Sequence, residues 1–322
     1  NNKIILNLPN IEWNKSYWSK DIQIFNEGLS RKHYPNEKYY GDRWGEVEKE
    51  PILKSIKEKF VLPFVNEDKS VLEIGPGGGR WTKYLLNCKK LYCLDLNPRS
   101  LDYVENRFSS QTNITYILNK GNDFPNIPKN SIDFIFSYGT FVHFDIGVTV
   151  DYICNMMNIL SNNSNIVIQY SEKKLKEGLK NDSFGVKNES FGSNTSEVMN
   201  KMVTDLGFLV HSEIKSIHEW NKLGKWFEDN SEPNNTNLIH FGKNDKINSQ
   251  LEEKDPSNIV TKAYKAILNR LPDEDGLKYF TNQLKQKKML ENELKVMLVK
   301  SDEYKINLEN LFTKIINKQE QN

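Results

Sequence analysis

The feature that most constrains this chain is a glycine-dense turn directly after a short apolar run. Residues 71–79 read V-L-E-I-G-P-G-G-G, and residues 80–86 then place apolar side chains at helical spacing. Because glycine tolerates positive φ and has no Cβ, a strand–turn–helix unit of this kind lets the backbone approach a ligand closely. The segment predicts an α/β fold with a small-molecule site at the end of its first strand. A glycine-rich turn without any ligand is the simpler alternative.

The spacing of the glycines separates two classes of ligand. A dinucleotide fingerprint requires G-x-G-x-x-G, whose third glycine packs between helix and strand. Gly75 and Gly77 supply the first two glycines, but Arg80 occupies the third position. A nicotinamide cofactor, and with it an oxidoreductase, is therefore the less favoured interpretation.

A second apolar run ends in an acid. Residues 91–96 have the composition of a buried strand, and Asp95 stands at its carboxyl end, twenty residues after Gly75. Ligands of open α/β sheets bind beyond the carboxyl ends of the strands, where a carboxylate can accept hydrogen bonds from both hydroxyls of a ribose. We expect Asp95 to bind a ribose.

The pattern E-x-G-x-G-x-G of residues 73–79 resembles the first motif of class I S-adenosylmethionine-dependent methyltransferases. The resemblance implies a Rossmann-like seven-stranded α/β sheet and S-adenosylmethionine as the cofactor. It also implies that the acid orders the turn and the methionine end of the cofactor, and that adenine contacts follow the third and fourth strands. The cofactor-binding residues that it implies are Glu73, Gly75, Pro76, Gly77, Trp81, Asp95, Leu96, Asn122, Asp123 and Ser137. Lys120 departs from the family, which often has an acid there.

Two further segments resemble a subgroup of bacterial methyltransferases encoded with surface-glycan or nucleotide-sugar genes. They are the fourth predicted strand with the F-V-H that follows it, residues 131–143, and the G-P-G-G-G-R-W-T-K-Y-L of the turn. The resemblance implies O-methylation of a sugar hydroxyl in capsule or lipopolysaccharide biosynthesis. Two alternatives are N-methylation of an amino sugar or small amine, and a scaffold that has lost turnover. The fourth strand lacks the Asn/Asp-Pro-Pro-Tyr motif that holds a nucleobase amine, which argues against methylation of DNA or RNA.

His143 is the candidate catalytic residue, because it follows the fourth strand where an acceptor must approach the methyl group. An alcohol loses a proton as its C–O bond forms, and histidine titrates near neutral pH. Asp145 is close enough in sequence to orient His143 or to replace it. Packing of His143 between Phe141 and Phe144 is an equally weighted alternative.

Three aromatic residues are the candidates for acceptor binding. Residues 1–50 are rich in aromatic side chains and predict a cover over the site, in which Tyr40 and Trp44 flank a polar turn. Tyr170, at the end of the predicted fifth strand, is the third candidate. For most of these aromatic residues, packing within a small helical subdomain is the simpler interpretation.

Composition excludes several other classes of protein. The chain has 322 residues and a formal net charge of +1, which gives no basic footprint for nucleic acid. Its three cysteines have neither a metal-binding spacing nor an even number, and no apolar run approaches about 18 residues. We therefore expect a cytoplasmic protein without a metal site, a transmembrane segment or a nucleic-acid partner.

A change in composition near residue 244 predicts a second domain. Residues 244–257 are polar, and the later run A-Y-K-A-I-L-N-R-L-P-D-E-D-G-L-K-Y-F resembles a short all-helical family of unknown function that is similar to phycobilisome linker modules. The resemblance implies a protein or glycan partner. The predicted organisation is a cover (1–50), a cofactor-binding domain (51–243), a linker (244–257) and a small all-α interaction domain (258–322), so that cutting near Asn244 leaves cofactor binding intact.

Overall fold

The computed structural model describes residues 11–29, 34–35, 37–172, 192, 194–215, 235–243 and 255–320. Its centre is a seven-stranded sheet with the order β3-β2-β1-β4-β5-β7-β6. The strands are β1 (Ser70–Ile74), β2 (Lys90–Asp95), β3 (Ile114–Leu118), β4 (Ile132–Ser137), β5 (Leu160–Glu172), β6 (Leu209–Ile214) and β7 (Asn235–Gly242). Strands β1 to β5 are parallel, whereas β7 is antiparallel to both of its neighbours. This confirms the predicted Rossmann-like α/β fold with a terminal antiparallel pair.

The helices are α1 (Ile11–Asn26), α2 (Pro51–Ile56), α3 (Pro98–Arg107), α4 (Ile146–Met156), α5 (Ser196–Asp205), α6 (Pro256–Leu268), α7 (Glu274–Lys285), α8 (Glu291–Lys300) and α9 (Asp302–Glu320). Alternate residues of each strand point to opposite faces of the sheet, and both faces are covered. Val71 and Phe134 pack toward α2 and α3, while Leu72 and Ile135 pack toward α4 and α5. No helix in the described part of the chain is long and apolar enough to cross a membrane.

The sheet has its topological switch point at β1. The chain first adds β2 and β3 on one side of β1 and then crosses to add β4 on the other side. Open α/β sheets bind ligands in the crevice beyond the carboxyl ends of the strands at such a point. The glycine turn leaves β1 at this crevice.

The segment after the glycine turn differs from its predicted helical form. Within residues 80–86 the structure has only a 3₁₀ turn, Thr82–Tyr84. The connection from β1 to β2 is residues 75–89, and the glycine turn takes its first five residues. The ten residues that remain contain this 3₁₀ turn and no α-helix.

Helix α4 begins at Ile146, after Asp145 as N-cap residue. Strand β5 begins at Leu160 and contains a register shift against β4. Gly207, at φ 87°, ends the α5 segment.

Two of the C-terminal helices begin at an aspartate cap. Asp255 accepts a hydrogen bond from Ser257 N, and Asp273 accepts one from Gly276 N at 2.7 Å. Of the predicted linker, residues 244–254 lie outside the described part of the chain.

These helices do not form a separate core. Side chains of α6, α8 and α9 belong to the same buried cluster as those of α4 and α5. At this junction the Tyr304 hydroxyl donates to Asp205 Oδ2 at 2.7 Å, and Lys305 pairs with Asp151 at 2.9 Å. In the structure this region therefore packs against the helices that cover one face of the sheet.

Candidate functional site

The glycine turn and Asp95 lie together at the switch point. Gly75 and Gly77 have φ angles of 72° and 54°, which favour glycine. The Asp95 carboxyl accepts a hydrogen bond from Asn97 N at 2.8 Å, and Gly75 N of the turn donates to Leu94 O at 2.8 Å, one residue before Asp95. Burial raises the pKa of Asp95 to about 6, and the backbone amide of Gly77 acts in the opposite direction. The structure therefore brings an acid beside the backbone of the turn.

Glu73 lies beneath the turn. Its side chain is buried and accepts a hydrogen bond from Thr82 Oγ1 at 2.6 Å. Burial raises the pKa of Glu73 to about 7. The contact joins the end of β1 to the 3₁₀ turn, so Glu73 orders the loop from its inner side.

The loop after β3 lies beside the end of β2. Asn119 N donates to Asp95 O at 3.0 Å, and Lys120 N donates to Asp123 Oδ1 at 2.6 Å. Asn122 and Asp123 are both half-buried. The loop after β3 therefore lies beside the strand end that carries Asp95. If Asp95 binds the ribose, the adenine has to be contacted from this side.

The end of β4 closes the other side of the turn. Ser137 Oγ donates to Ile74 O at 2.9 Å, so its hydroxyl stabilises the backbone of β1. A Cβ on Gly75 would lie 1.9 Å from Thr140 Oγ1, which excludes any larger residue at Gly75. Thr140 was not among the predicted residues, since the contact depends on the pairing of β1 with β4.

Trp81 differs from its predicted role. Only 3% of the residue is exposed, and its ring lies 5.1 Å from Phe136 and 4.9 Å from Tyr138, between centroids. Its side chain therefore packs in the core behind the turn. An apolar residue after a glycine turn has the same sequence pattern whether it faces the ligand or the core.

His143, the predicted catalytic residue, packs in a group of aromatic side chains. It ends the 3₁₀ turn Phe141–His143, and its ring centroid lies 5.2 Å from that of Trp18 in α1. Trp18 lies 5.7 Å from Trp44, which lies 5.5 Å from Tyr40. The structure thus brings three of the predicted residues together and adds Trp18, whose helix carried no motif.

The Tyr40 ring is buried, and its hydroxyl donates to Asp21. Trp18, Trp44 and His143 are the half-buried members of this aromatic group.

Tyr170 is not brought to this group. It is fully buried, with its hydroxyl donating to Glu213 and accepting from Asn237 Nδ2 at 3.1 Å. Burial raises the pKa of the phenol above its usual value. Gln169, the preceding residue of β5, has its side chain on the opposite face of the sheet. Its Oε1 accepts a hydrogen bond from Gly139 N at 2.9 Å, near the end of β4.

Two arginines attach the N-terminal cover to the turn. Arg80 Nη1 donates to Trp44 O at 2.5 Å, and Arg107 Nη1 donates to Gly78 O while its guanidinium lies 3.8 Å from the centre of the Tyr39 ring. The sequence marked Arg80 only as the residue that breaks a dinucleotide fingerprint. Arg107 gave no signal, because its contacts depend on how α3 packs.

Among the described residues, no group of three or more His, Cys, Asp or Glu side chains is arranged to hold a metal ion. All three cysteines are free and buried.

Comparison with known proteins gives two family matches. Residues 71–163 match a family described as methyltransferase domain, and residues 240–308 match a domain of unknown function, DUF4214. The first match confirms the methyltransferase interpretation for the segment from β1 to the start of β5. The second confirms a C-terminal family of unknown function, with a match that begins inside β7.

Individual relatives match over short stretches. A ribosomal RNA small subunit methyltransferase A from Prochlorococcus marinus is 36% identical over 84 residues, which are 26% of this chain and 29% of the relative. The chain therefore spans less than a third of the length of the curated relatives it matches.

The solved structures that match this chain resemble it only distantly. A SAM-dependent methyltransferase from Aquifex aeolicus is 16% identical, with a TM-score of 0.43 over 70% of this chain and 97% of that one. A geranyl diphosphate C-methyltransferase from Streptomyces coelicolor, solved with S-adenosyl-L-homocysteine, is 12% identical, with a TM-score of 0.45 over 60% and 81%. The fold assignment rests on the sheet order of this chain itself.

Proposed function

We propose that this chain is an S-adenosylmethionine-dependent methyltransferase. The observation that carries the proposal is the position of Asp95 beside the glycine turn at the switch point of the sheet, where Gly75 N donates to Leu94 O at 2.8 Å, within the segment that matches the methyltransferase-domain family. Asp95 would accept hydrogen bonds from the ribose hydroxyls, and the loop at Asn122 and Asp123 would border the adenine. The bound cofactor supplies an electrophilic methyl group on a sulfonium.

The acceptor that we propose is a sugar hydroxyl, in the biosynthesis of a surface glycan. Trp18 and Trp44 offer aromatic faces to the C–H face of a sugar ring, and His143 lies beside them to take up the hydroxyl proton. Most of the catalysis would come from holding this hydroxyl in line with the methyl group. We do not propose an RNA acceptor, because the net charge is +1 and residues 137–140 after β4 read S-Y-G-T.

One observation favours a second acceptor class. Tryptophan faces also bind ammonium groups through cation–π attraction. Trp18 and Trp44 would then hold the ammonium of an amino sugar. That ammonium has to release a proton, to water or to His143, before its lone pair can attack the methyl group. Because water can take this proton, the reaction depends less on His143.

We also propose a cytoplasmic location. The three buried free thiols support it, because free thiols suit a reducing compartment. The C-terminal helices are proposed to bind a protein or glycan partner through their outer faces.

The experiment that tests the activity is calorimetric titration of the purified chain with S-adenosylmethionine, S-adenosylhomocysteine and NAD. Micromolar binding of both sulfur ligands and none of NAD is expected. A chain that binds neither sulfur ligand would overturn the proposal and leave the scaffold alternative. When both bind, nucleotide sugars and amino sugars become the acceptors to screen for methyl incorporation.

A further inference from the structure

Helix α4 contacts the loop that we assign to the adenine. The Tyr152 hydroxyl accepts a hydrogen bond from Asn119 Nδ2 at 2.9 Å, and Asn155 Nδ2 donates to Asn122 O at 2.7 Å. Tyr152 and Asn155 are three residues apart and therefore lie on one side of the helix. Two points of this loop are thus attached to α4.

The C-terminal helices also contact α4. Lys300 Nζ, at the end of α8, donates to Asn155 Oδ1 at 2.6 Å. In α9, Lys305 Nζ donates to Asp151 Oδ1 at 2.9 Å, with both side chains largely buried. The amide of Asn155 therefore has its oxygen bound by the C-terminal helices and its nitrogen bound to the loop.

We propose that the C-terminal helices position the adenine loop through α4, with Asn155 as the positioning residue. The inference rests on the proposed function, because the ligand of this loop is taken to be the cofactor. Without the hydrogen bond from Lys300, the side-chain amide of Asn155 is free to rotate. It can then turn its oxygen toward Asn122 O, and the two oxygens repel each other. With its oxygen fixed by Lys300, the amide can only present its donor to the loop.

This arrangement gives the region of unknown function a role in the cofactor site. A loop held in its binding conformation before the ligand arrives avoids the entropy cost of ordering at the moment of binding. A partner that shifts α8 or α9 would change cofactor affinity through the same contacts, and the cofactor would change the partner's affinity equally.

Two substitutions separate positioning from simple attachment. Lys300→Met keeps the aliphatic stem but removes the donor to Asn155. Asn155→Asp keeps an acceptor for Lys300, so the C-terminal helices stay attached, but it replaces the donor to Asn122 O by a carboxylate oxygen. The matched control is Lys295→Met on the same helix, where the lysine pairs with Glu291 at 2.7 Å.

The first readout is amide hydrogen exchange of the ligand-free chain. We expect Lys300→Met and Asn155→Asp to speed exchange at Asn119 and Lys120, whose amides are hydrogen-bonded within the loop, and Lys295→Met to leave it unchanged. The second readout is the affinity for S-adenosylhomocysteine, which we expect to fall about threefold to tenfold, the range for one hydrogen bond. Lys300→Arg restores a donor and is expected to recover both.

The outcomes are distinguishable. Wild-type exchange in both Lys300→Met and Asn155→Asp would overturn the positioning role. Faster exchange without any loss of affinity would mean that the loop is not part of the cofactor site. If the wild-type chain binds no S-adenosylhomocysteine, the proposed function fails, while the exchange data still decide whether Asn155 holds the loop.

Discussion

Asp95 has the strongest electrostatic role that we assign to a single residue in the cofactor site. Asp95→Ala is expected to weaken S-adenosylhomocysteine binding by about 2–3 kcal/mol, because the ribose hydroxyls lose a charged acceptor. Calorimetry measures the change. Asp102→Ala, at an exposed position on α3, is the control and should bind as the wild type does. Unchanged affinity in Asp95→Ala would remove Asp95 from the site.

His143 is assigned to the acceptor rather than to the cofactor. His143→Ala should lower kcat for an alcohol acceptor by about 10²–10⁴-fold, the usual contribution of a general base. Affinity for S-adenosylhomocysteine should stay near that of the wild type. The measurement is methyl incorporation into the acceptor identified by screening. Full activity would leave His143 with only its packing against Trp18.

The buried carboxyl of Glu73 predicts a pH dependence of stability. Its pKa is raised to about 7 by burial, so between about pH 4.5 and 7 the folded chain holds a proton that the unfolded chain has released. The stability from this group is present at low pH and is lost as the pH rises through 7. Urea unfolding at pH 5 to 8 should show the free energy of unfolding falling by up to about 1.4 kcal/mol per pH unit from this group. Glu73→Gln should reduce that slope, and an equal slope in both proteins would contradict the assignment.

At the scale of elements, a second contact fixes the cover onto the turn. A Cβ on Gly78 would lie 1.8 Å from Tyr40 O, so Gly78→Ala must push residues 39–45 away from the turn. We expect a loss of about 1–3 kcal/mol of stability, as for other overpacked sites. Thermal unfolding measures it, with Gly147→Ala in α4 as control, because a Cβ there meets nothing within 4 Å. A melting temperature of Gly78→Ala equal to that of the wild type would show that the cover moves freely over the turn.

The elements also show what the sequence could predict. Strands β1 to β4 and their order follow from short apolar runs and from the rules for parallel sheets, since both are local or general. The missing helix over 80–86 was not predictable from its apolar spacing, because the side chains of a 3₁₀ turn that packs on the sheet follow a similar spacing. The position of Trp18 beside His143 depends on how α1 packs, and no motif in residues 11–26 records that packing. The sequence placed Tyr170 at the end of β5, but strand alternation turns its side chain away from the end of β4, where Gln169 bonds to Gly139.

For the whole molecule, the C-terminal helices share a buried cluster with the helices that cover the sheet. Apolar side chains of α6, α8 and α9 that are at most 5% exposed in the cluster shared with α4 and α5 include Val260, Ile267, Leu294, Leu298 and Leu308. Burying each side chain of this size is worth about 1.5–3 kcal/mol, while a whole domain is stable by only about 5–15 kcal/mol. Removing residues 244–322 would therefore take away a share comparable to the total stability.

One unfolding experiment on the intact chain tests this cooperativity. None of the six tryptophans lies in residues 244–322, so their fluorescence reports on the part of the chain before the C-terminal helices, where Trp18, Trp44 and Trp81 lie in the cover and behind the glycine turn. Helical circular dichroism also reports on α6 to α9. We expect both signals to change at the same urea concentration, and S-adenosylhomocysteine to shift both midpoints together, because a ligand that binds the folded state stabilises everything that unfolds with it. A chain ending at residue 243 is the comparison, and it should unfold at lower urea or aggregate, since the apolar sides of α4 and α5 are then exposed. A separate helical transition that the ligand does not move would contradict this cooperativity and support the predicted independent C-terminal domain.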